Sequence, residues 1–326
     1  MVLNKEGIIV VTGAAGFIGS CVVRYLNDKG FHHLVLVDED SQTANLANKK
    51  YDRFLHKQEL FPWLNEHAHE VKAIIHLGAC SDTTMKDWDY LLENNYNYTL
   101  KLAEIALKHQ MRFIYASSAA TYGDGSLGFS DNLEMLEQLK PLNLYGDSKH
   151  LFDLWAKKEN VFNQIVGLKY FNVFGPNENH KNHMASMVFK MFPIVKDQGL
   201  VRLFKSSEPD RFSDGDQCRD FIYVKDAVRM TCQFLDNDVC GLFNIGRGEP
   251  STWNALAGAL FNALNRPANI EYIEMPKQLA GQYQNYTCAD MTHYQKRHRS
   301  HSICEYNLEN AVMDYVQGYL LTNQRW

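Results

Sequence analysis

Apolar residues along this chain gather in short unbroken runs, and between the runs they recur at helical spacing. Ile8-Ile9-Val10-Val11, Leu34-Val35-Leu36-Val37, Val71 to Ala79, Phe113-Ile114-Tyr115-Ala116 and Ile165 to Phe171 are rich in β-branched and aromatic residues. Runs this short predict strands covered on both faces of a parallel sheet. Cys21 to Lys29, Asp89 to Leu107 and the stretch from Lys149 through Trp155 to Lys158 predict helices. Strands alternating with helices at this spacing predict right-handed crossovers and an α/β, doubly wound parallel sheet. Asn94 and Asn95 are costly in a plain helix interior, so a buried hydrogen-bonding role is expected of them.

From Asn177 the pattern loosens into short apolar segments, a Gly/Ser/Asp-rich loop from Ser206 to Gln217 and a few helices. Asp220 to Val224 and Gly241 to Gly246 read as strands returning to the main sheet. The expected division is a dinucleotide-binding domain of residues 1–170 plus about 216–245, and a smaller substrate lobe of about 171–215 and 246–326. There is no internal repeat, low-complexity tract or flexible linker.

The first strand runs into a turn, Thr12-Gly13-Ala14-Ala15-Gly16-Phe17-Ile18-Gly19-Ser20. Glycines there let the backbone close tightly on a pyrophosphate and let the next helix pack on the strand, its free N–H groups facing the anion. The second strand ends in Asp38, where an acidic side chain meets an adenosine ribose in such folds. Gly78 and Ala79, at the tip of a further strand, leave room for the cofactor. Lys57 sits where loops converge on the adenine end and can reach a phosphate; Lys49 and Lys50 read as surface charge.

With 326 residues, 45% of them apolar and 22% charged, and a net charge of −5, the chain has the composition of a globular enzyme. No basic excess asks for nucleic acid or anionic lipid, and Lys296 to His301 reads as a solvated loop. The seven cysteines, an odd number without close pairing, point to reduced thiols. None has zinc-ligand spacing, so no metal is expected. The chain enters a core strand at once, without a signal peptide, and no run is long enough to span a membrane. A cytoplasmic protein is expected.

Tyr145 and Lys149 lie four apart, on one face of a helix. A phenol titrates near pH ~10, and a neighbouring ammonium and a cofactor positive charge are expected to lower that value. Ser118, at the tip of the preceding strand, adds a second hydrogen-bond partner for a carbonyl or alcohol oxygen. This trio moves a proton while a nicotinamide takes a hydride.

The turn, Ser118-Ala119-Ala120-Thr121-Tyr122-Gly123 and Tyr145-Gly146-Asp147-Ser148-Lys149 resemble the extended short-chain dehydrogenase/reductase superfamily of nucleotide-sugar enzymes, with its Rossmann-type sheet. More narrowly, Gly78 to Thr84, Asn94-Asn95-Tyr96, Tyr170 to Glu178, His180-Lys181, Met184-Ala185-Ser186, Arg219 to Val224 and Gly281-Gln282-Tyr283-Gln284 resemble the ADP-glycero-manno-heptose 6-epimerases. The resemblance covers nearly the whole chain. It implies oxidation of heptose carbon six with tightly held NADP (or NAD) and return of the hydride to the other face, a step toward the lipopolysaccharide core. Tyr145 and Lys181 are then the two acid/base groups, with Lys149 and Ser118 completing the catalytic set. The implied cofactor contacts are Gly13, Gly16, Phe17, Ile18, Gly19, Asp38, Glu39, Lys57, Leu77, Gly78, Ala79, Cys80, Ser81, Asn94, Tyr145, Lys149, Val173 and Lys181. Those to the ADP-sugar are Ser118, Asn172, His183, Lys190, Phe204, Lys205, Ser206, Ser207, Arg219 and Tyr283, with Arg219 offering a fork to the diphosphate. A homo-oligomer, a pentamer, is implied as well.

Leu77 departs from the glutamate frequent in the family, His183 and Lys190 stand for serine and histidine, and no lysine lies near Gln42. The glycine-aromatic pattern is missing around Lys296 to Ser302. Asp38-Glu39 would repel a ribose phosphate, so NADP rests on the resemblance and Lys57. The alternatives are another nucleotide-sugar 4-epimerase, a dehydratase, or a non-catalytic relative. A dehydratase carries an acidic pair where this chain has Ala119-Ala120, and a non-catalytic relative loses the tyrosine or the lysine.

Overall fold

The computed structural model describes residues 6–40, 43–276, 283–298 and 303–326. Gln42, Gly281, Gln282 and Arg299 to Ser302 therefore lie outside the described residues. Seven strands form the large sheet: β1 (Ile8–Thr12), β2 (Leu34–Asp38), β3 (Arg53–His56), β4 (Val71–His76), β5 (Arg112–Ser118), β6 (Ile165–Tyr170) and, after four intervening strands, β11 (Gly241–Ile245). Their order is β11-β6-β5-β4-β1-β2-β3, which reverses direction beside β1. The pairings β1·β2, β1·β4, β2·β3, β4·β5 and β5·β6 are all parallel. β6 and β11 are buried along their whole length, as uninterrupted apolar runs require.

α1 (Phe17–Asp28), α2 (Leu60–His67), α3 (Trp88–Leu91), α4 (Tyr98–Lys108) and α5 (Leu144–Lys158) follow the early strands. α1 starts four residues before the expected Cys21, directly at the turn. The single helix expected from Asp89 to Leu107 is α3 and α4 joined by a π-helical turn, Leu92–Asn97. That turn holds Asn94 and Asn95, and the extra residue per turn swings Asn95 into the interior. α5 starts at Leu144, because the Asn143 side chain caps it by accepting from the Gly146 N–H at 2.8 Å.

The chain divides into two compact units: residues 1–123, 131–170 and 228–244, and residues 124–130, 171–227 and 245–326. Residues 216–227 and 124–130 thus fall in the second unit, not the first as expected. The physical reason is strand pairing. β7 (Asn172–Phe174) takes β10 (Phe221–Tyr223) as its parallel partner, and β9 (Cys218–Arg219) pairs antiparallel with β12 (Ser251–Thr252). The expectation that Asp220 to Val224 returns to the main sheet is therefore corrected, whereas Gly241–Ile245 does join it. β8 (Val201–Phe204) and β13 (Ile270–Ile273) form a third small sheet. Among the described residues no helix is long and apolar enough to cross a membrane.

Candidate active site

In the first unit, the β1–α1 turn is built by what its glycines lack. A Cβ on Gly13, whose φ is +65°, would sit 2.7 Å from the Gly78 nitrogen, and one on Gly19 would sit 1.9 Å from the Gly13 carbonyl oxygen. The backbones of the two loops therefore touch directly. α1 has no side-chain cap and no acid in its first turn, so the positive end of its dipole is open to an anion. Gly13, Gly16 and Ile18 keep part of their surface open, while Phe17 and Gly19 pack inward. This cradle fits the pyrophosphate of a dinucleotide.

Asp38 does something the sequence did not suggest. Its Oδ2 accepts from the Ala15 N–H at 2.8 Å and its Oδ1 from the Glu39 N–H at 2.8 Å, so it ties the end of β2 to the glycine turn. Lys57 donates from Nζ to Glu39 Oε1 at 2.5 Å and to Asn94 Oδ1 at 3.0 Å. Lys57, expected to reach a ribose phosphate, and Glu39, expected to repel one, are here a partly exposed ion pair.

Beneath the cradle runs a buried chain of hydrogen bonds. The Gly78 N–H donates to Thr12 Oγ1 at 3.1 Å, Thr12 Oγ1 lies 2.6 Å from His76 Nδ1, and His76 Nε2 lies 2.9 Å from Thr99 Oγ1. Thr99 gives its one hydroxyl proton to the Asn95 carbonyl at 2.6 Å, so it must accept from His76. The ring is therefore the neutral Nε2–H tautomer, with Nδ1 accepting from Thr12. Asn95 continues the chain: its amide accepts from Cys80 N at 2.8 Å and donates to Cys80 O at 3.0 Å and Ser148 Oγ at 2.9 Å. Ser148 in turn donates to the Tyr145 carbonyl at 2.7 Å. The buried role expected of Asn95 is this bridge from Cys80 to α5. Leu77 bonds back to the Thr12 carbonyl through its own N–H at 3.2 Å; Ala79 is half-buried and Ser81 exposed.

Burial drives the His76 pKa down to about 3, with Lys149 adding to the effect. The folded value lies below the ordinary one, so the stability this site confers is whole above about pH 6.5 and drains away as pH falls toward about 3. The expected loss at pH 5 is about 2 kcal/mol. Urea unfolding at pH 7.5 and at pH ~5 checks it: the drop is shallower in His76→Asn than in the parent.

Ser118 ends β5 and Tyr145 stands in the first turn of α5, where the Ser118 hydroxyl acts on the Tyr145 phenol. Burial raises the Tyr145 pKa above its ordinary value, the Ser118 hydroxyl pulls it down and Cys80 pushes it up. The positive charge expected to make Tyr145 more acidic comes from Lys149 together with the cofactor, and Lys149 is held by the strand that ends in Ser118. Lys149 Nζ donates to the Ala116 carbonyl at 2.9 Å. Its own pKa falls to about 8 by burial, with Asp153 and Cys80 acting in the opposite sense. Asp153, one turn further along α5, is fully buried and holds Lys169 Nζ at 2.7 Å, Ser117 Oγ at 2.7 Å and Tyr115 Oη at 2.8 Å. Sequence reasoning passed over this pair; a lysine inside the apolar run Ile165–Phe171 was the available signal.

In the second unit, the six expected sugar-nucleotide residues Phe204, Lys205, Ser206, Ser207, Arg219 and Tyr283 do not stand alike. Arg219 is 7% exposed, with its guanidinium 4.8 Å from the Tyr283 ring and 5.7 Å from the Trp253 ring. Phe204 meets Tyr283 edge-on with centroids 6.4 Å apart. Arg219, Tyr283 and Phe204 thus come together, with Trp253 as a member the sequence did not announce. Burial lowers the Arg219 pKa, Tyr283 opposing. Lys205 instead points to Glu274, its Nζ 2.6 Å from Oε1 on an exposed face. Ser206 takes the Glu208 N–H at 3.1 Å on its Oγ, and its own N–H donates to Asp214 at 2.8 Å; Ser207 lies against Asn285 at 3.4 Å.

Asn172 is exposed and Val173 half-buried on β7. Lys181, half-buried, and His183, exposed, lie in a 3-10 segment, Asn179–Met184, and Lys190 is exposed on the helix Met187–Gln198. Burial lowers the Lys181 pKa, Glu178 raises it and Lys190 lowers it again. Lys296 to His298 close a helix, Thr292–His298, where His298 stacks on Tyr294 at 4.3 Å.

Residues 9–246 match the NAD dependent epimerase/dehydratase family. An ADP-L-glycero-D-manno-heptose-6-epimerase of Nitratidesulfovibrio vulgaris (strain DP4) is 46% identical over 323 residues, covering 95% of this chain and 97% of that protein. One from Fusobacterium nucleatum subsp. nucleatum is 43% identical over 327 residues, covering 96% and 98%. The crystal structure of the Helicobacter pylori ADP-L-glycero-D-manno-heptose-6-epimerase superposes with a TM-score of 0.80 at 26% identity, covering 96% of each chain. The match runs through both units, and the chain therefore belongs to the NAD dependent epimerase/dehydratase family and, within it, to the ADP-L-glycero-D-manno-heptose-6-epimerases.

Proposed function

We propose that this chain inverts carbon six of the heptose in ADP-D-glycero-D-manno-heptose, giving ADP-L-glycero-D-manno-heptose, with NADP held in preference to NAD. The observation that carries the reading is that Ser118 at the end of β5, Tyr145 in the first turn of α5 and the glycine cradle share one unit. When bound, the nicotinamide takes up a hydride and gives it back, so the net reaction is redox-neutral. Gly13, Gly16 and the start of α1 hold the pyrophosphate; Asp38, Glu39 and Lys57 face the adenosine ribose. Tyr145 holds and moves the proton of the reacting oxygen, Ser118 orients that oxygen, and Lys149 supplies positive charge. Lys181 is the second acid/base group: its lowered pKa brings its ammonium closer to releasing a proton near neutrality. Arg219 and Tyr283 hold the ADP moiety. The protein works as a homo-oligomer, a pentamer by resemblance, in the cytoplasm, where its seven free thiols stay reduced.

The test of the reaction is incubation with ADP- and UDP-sugars and product analysis by NMR. Equilibration of the two ADP-heptoses at carbon six is expected; inversion of a UDP-sugar at carbon four alone overturns the reading. For the cofactor, denaturing the purified protein is expected to release NADP. Lys57→Met is expected to weaken NADP binding by roughly tenfold, the worth of one charge-assisted phosphate contact. NAD binding should stay as it was, because Lys57 already has Glu39 as a partner. Calorimetry with both dinucleotides decides it, and an equal change in both removes Lys57 from the phosphate site.

A further inference from the structure

The segment that carries Lys181 lies close to the surface. Asn179–Met184 buries none of its residues, and Asn182 within it has φ 47° and ψ −121°, outside any helix. Its leading flank is buried, Asn177 at 0% and Glu178 at 1% exposed, and there its position is fixed by specific hydrogen bonds. Glu178 closes the segment on itself. Its carboxylate accepts from the Gly175 N–H at 3.3 Å, before the segment, and from the Ser186 N–H at 2.5 Å and Oγ–H at 2.7 Å, after it. Its carbonyl takes the Lys181 N–H at 2.9 Å.

Asn177 fastens this closed loop to a distant part of the chain. It adopts φ 76°, and its side chain reads both backbone groups of Trp326: Oδ1 accepts from the Trp326 N–H at 2.8 Å and Nδ2 donates to the Trp326 carbonyl at 3.0 Å. The paired geometry is that of two strands, made by one amide side chain, and it specifies position as well as proximity. Trp326 is gripped from its other side. Its ring lies 5.6 Å from Lys225 Nζ, which also stands 5.0 Å from the Tyr319 ring and 2.7 Å from Asp314 Oδ2. Each of these residues belongs to the second unit.

We infer that Asn177 and Trp326 form a latch that positions Lys181: the tail segment, anchored on Lys225, fixes the turn from which Lys181 projects. The inference rests on the reading of Lys181 as an acid/base group. Asn177→Gly is the sharp probe, since glycine takes the positive φ without strain and removes both hydrogen bonds. It is expected to lower kcat by roughly tenfold to a hundredfold, the cost of misplacing a reacting group by about an ångström. KM and the dinucleotide content of the purified protein should stay at parental values. Trp326→Phe, which keeps the backbone bonds and a ring over Lys225, is expected to retain most of kcat. A merely structural role is separated by background: in Lys181→Met the latch has nothing left to aim, so adding Asn177→Gly should cost nothing more. Parental kcat in Asn177→Gly, or an equal loss in both backgrounds, overturns the inference. If Lys181→Met itself turns over at the parental rate, the two-base reading falls, and hydrogen exchange over residues 179–184 then decides the latch. Faster exchange in Asn177→Gly supports it; unchanged exchange overturns it.

Discussion

Tyr145→Phe is expected to lower epimerisation at least about a hundredfold, the usual scale of a lost acid/base group, while the purified protein keeps its dinucleotide. Phenylalanine retains the ring at the start of α5 and removes only the hydroxyl that meets Ser118. Burial raises the Tyr145 pKa, so the resting group is the neutral phenol, which can give a proton to a ketone oxygen as it is reduced. Taking the proton in the oxidative direction requires the phenolate. The Ser118 hydroxyl already favours that form, and positive charge brought beside it favours it further. Product formation followed by NMR, with nucleotide content measured after denaturation, checks both halves of the prediction. Parental turnover would remove Tyr145 from the chemistry.

Lys181→Met is expected to be as damaging, again by at least about a hundredfold. In the oxidative half, a hydride leaves carbon six and the hydroxyl proton passes to a base. In the reductive half, the hydride returns to the opposite face and the oxygen takes a proton from an acid. One group within hydrogen-bond reach of the oxygen in one orientation does not reach it in the other unless the sugar turns over completely. A sugar aldehyde analogue that is both oxidised and reduced separates the halves. Each single variant should retain dismutation with the remaining base, and Tyr145→Phe/Lys181→Met should have none. Full epimerase activity in Lys181→Met would mean a single-base enzyme that reorients its substrate.

The parallel sheet was legible because its strands are buried on both faces, and burial on both faces writes an unbroken apolar run into the chain. β3 escaped for the converse reason. Arg53-Phe54-Leu55-His56 closes the sheet at its edge, is only partly covered, and carries no such run. β10 was misassigned because its three residues are as buried as those of any central strand. Burial says that a strand is covered, not which strand covers it. The placement of the proposed catalytic trio was legible because a helix puts residues four apart on one face, and because a strand tip and a glycine turn precede it.

What the sequence by itself determined is therefore local: the glycine turn, the strand tips at Asp38 and Ser118, the face shared by Tyr145 and Lys149, and through them the reaction class. Tertiary structure alone decided where those side chains point. It turned Asp38 back onto Ala15, Lys149 onto Ala116 and Lys205 away to Glu274, and drew Arg219, Trp253 and Tyr283 together. It also set the protonation of His76 and the shift in Tyr145, since desolvation is a property of everything packed around a group. Asn177 and Trp326 stand 149 residues apart, and no local pattern records a bond of that separation. Backbone propensity and periodicity act over a few residues; hydrogen bonding and burial act over space, and only the folded chain brings that space together.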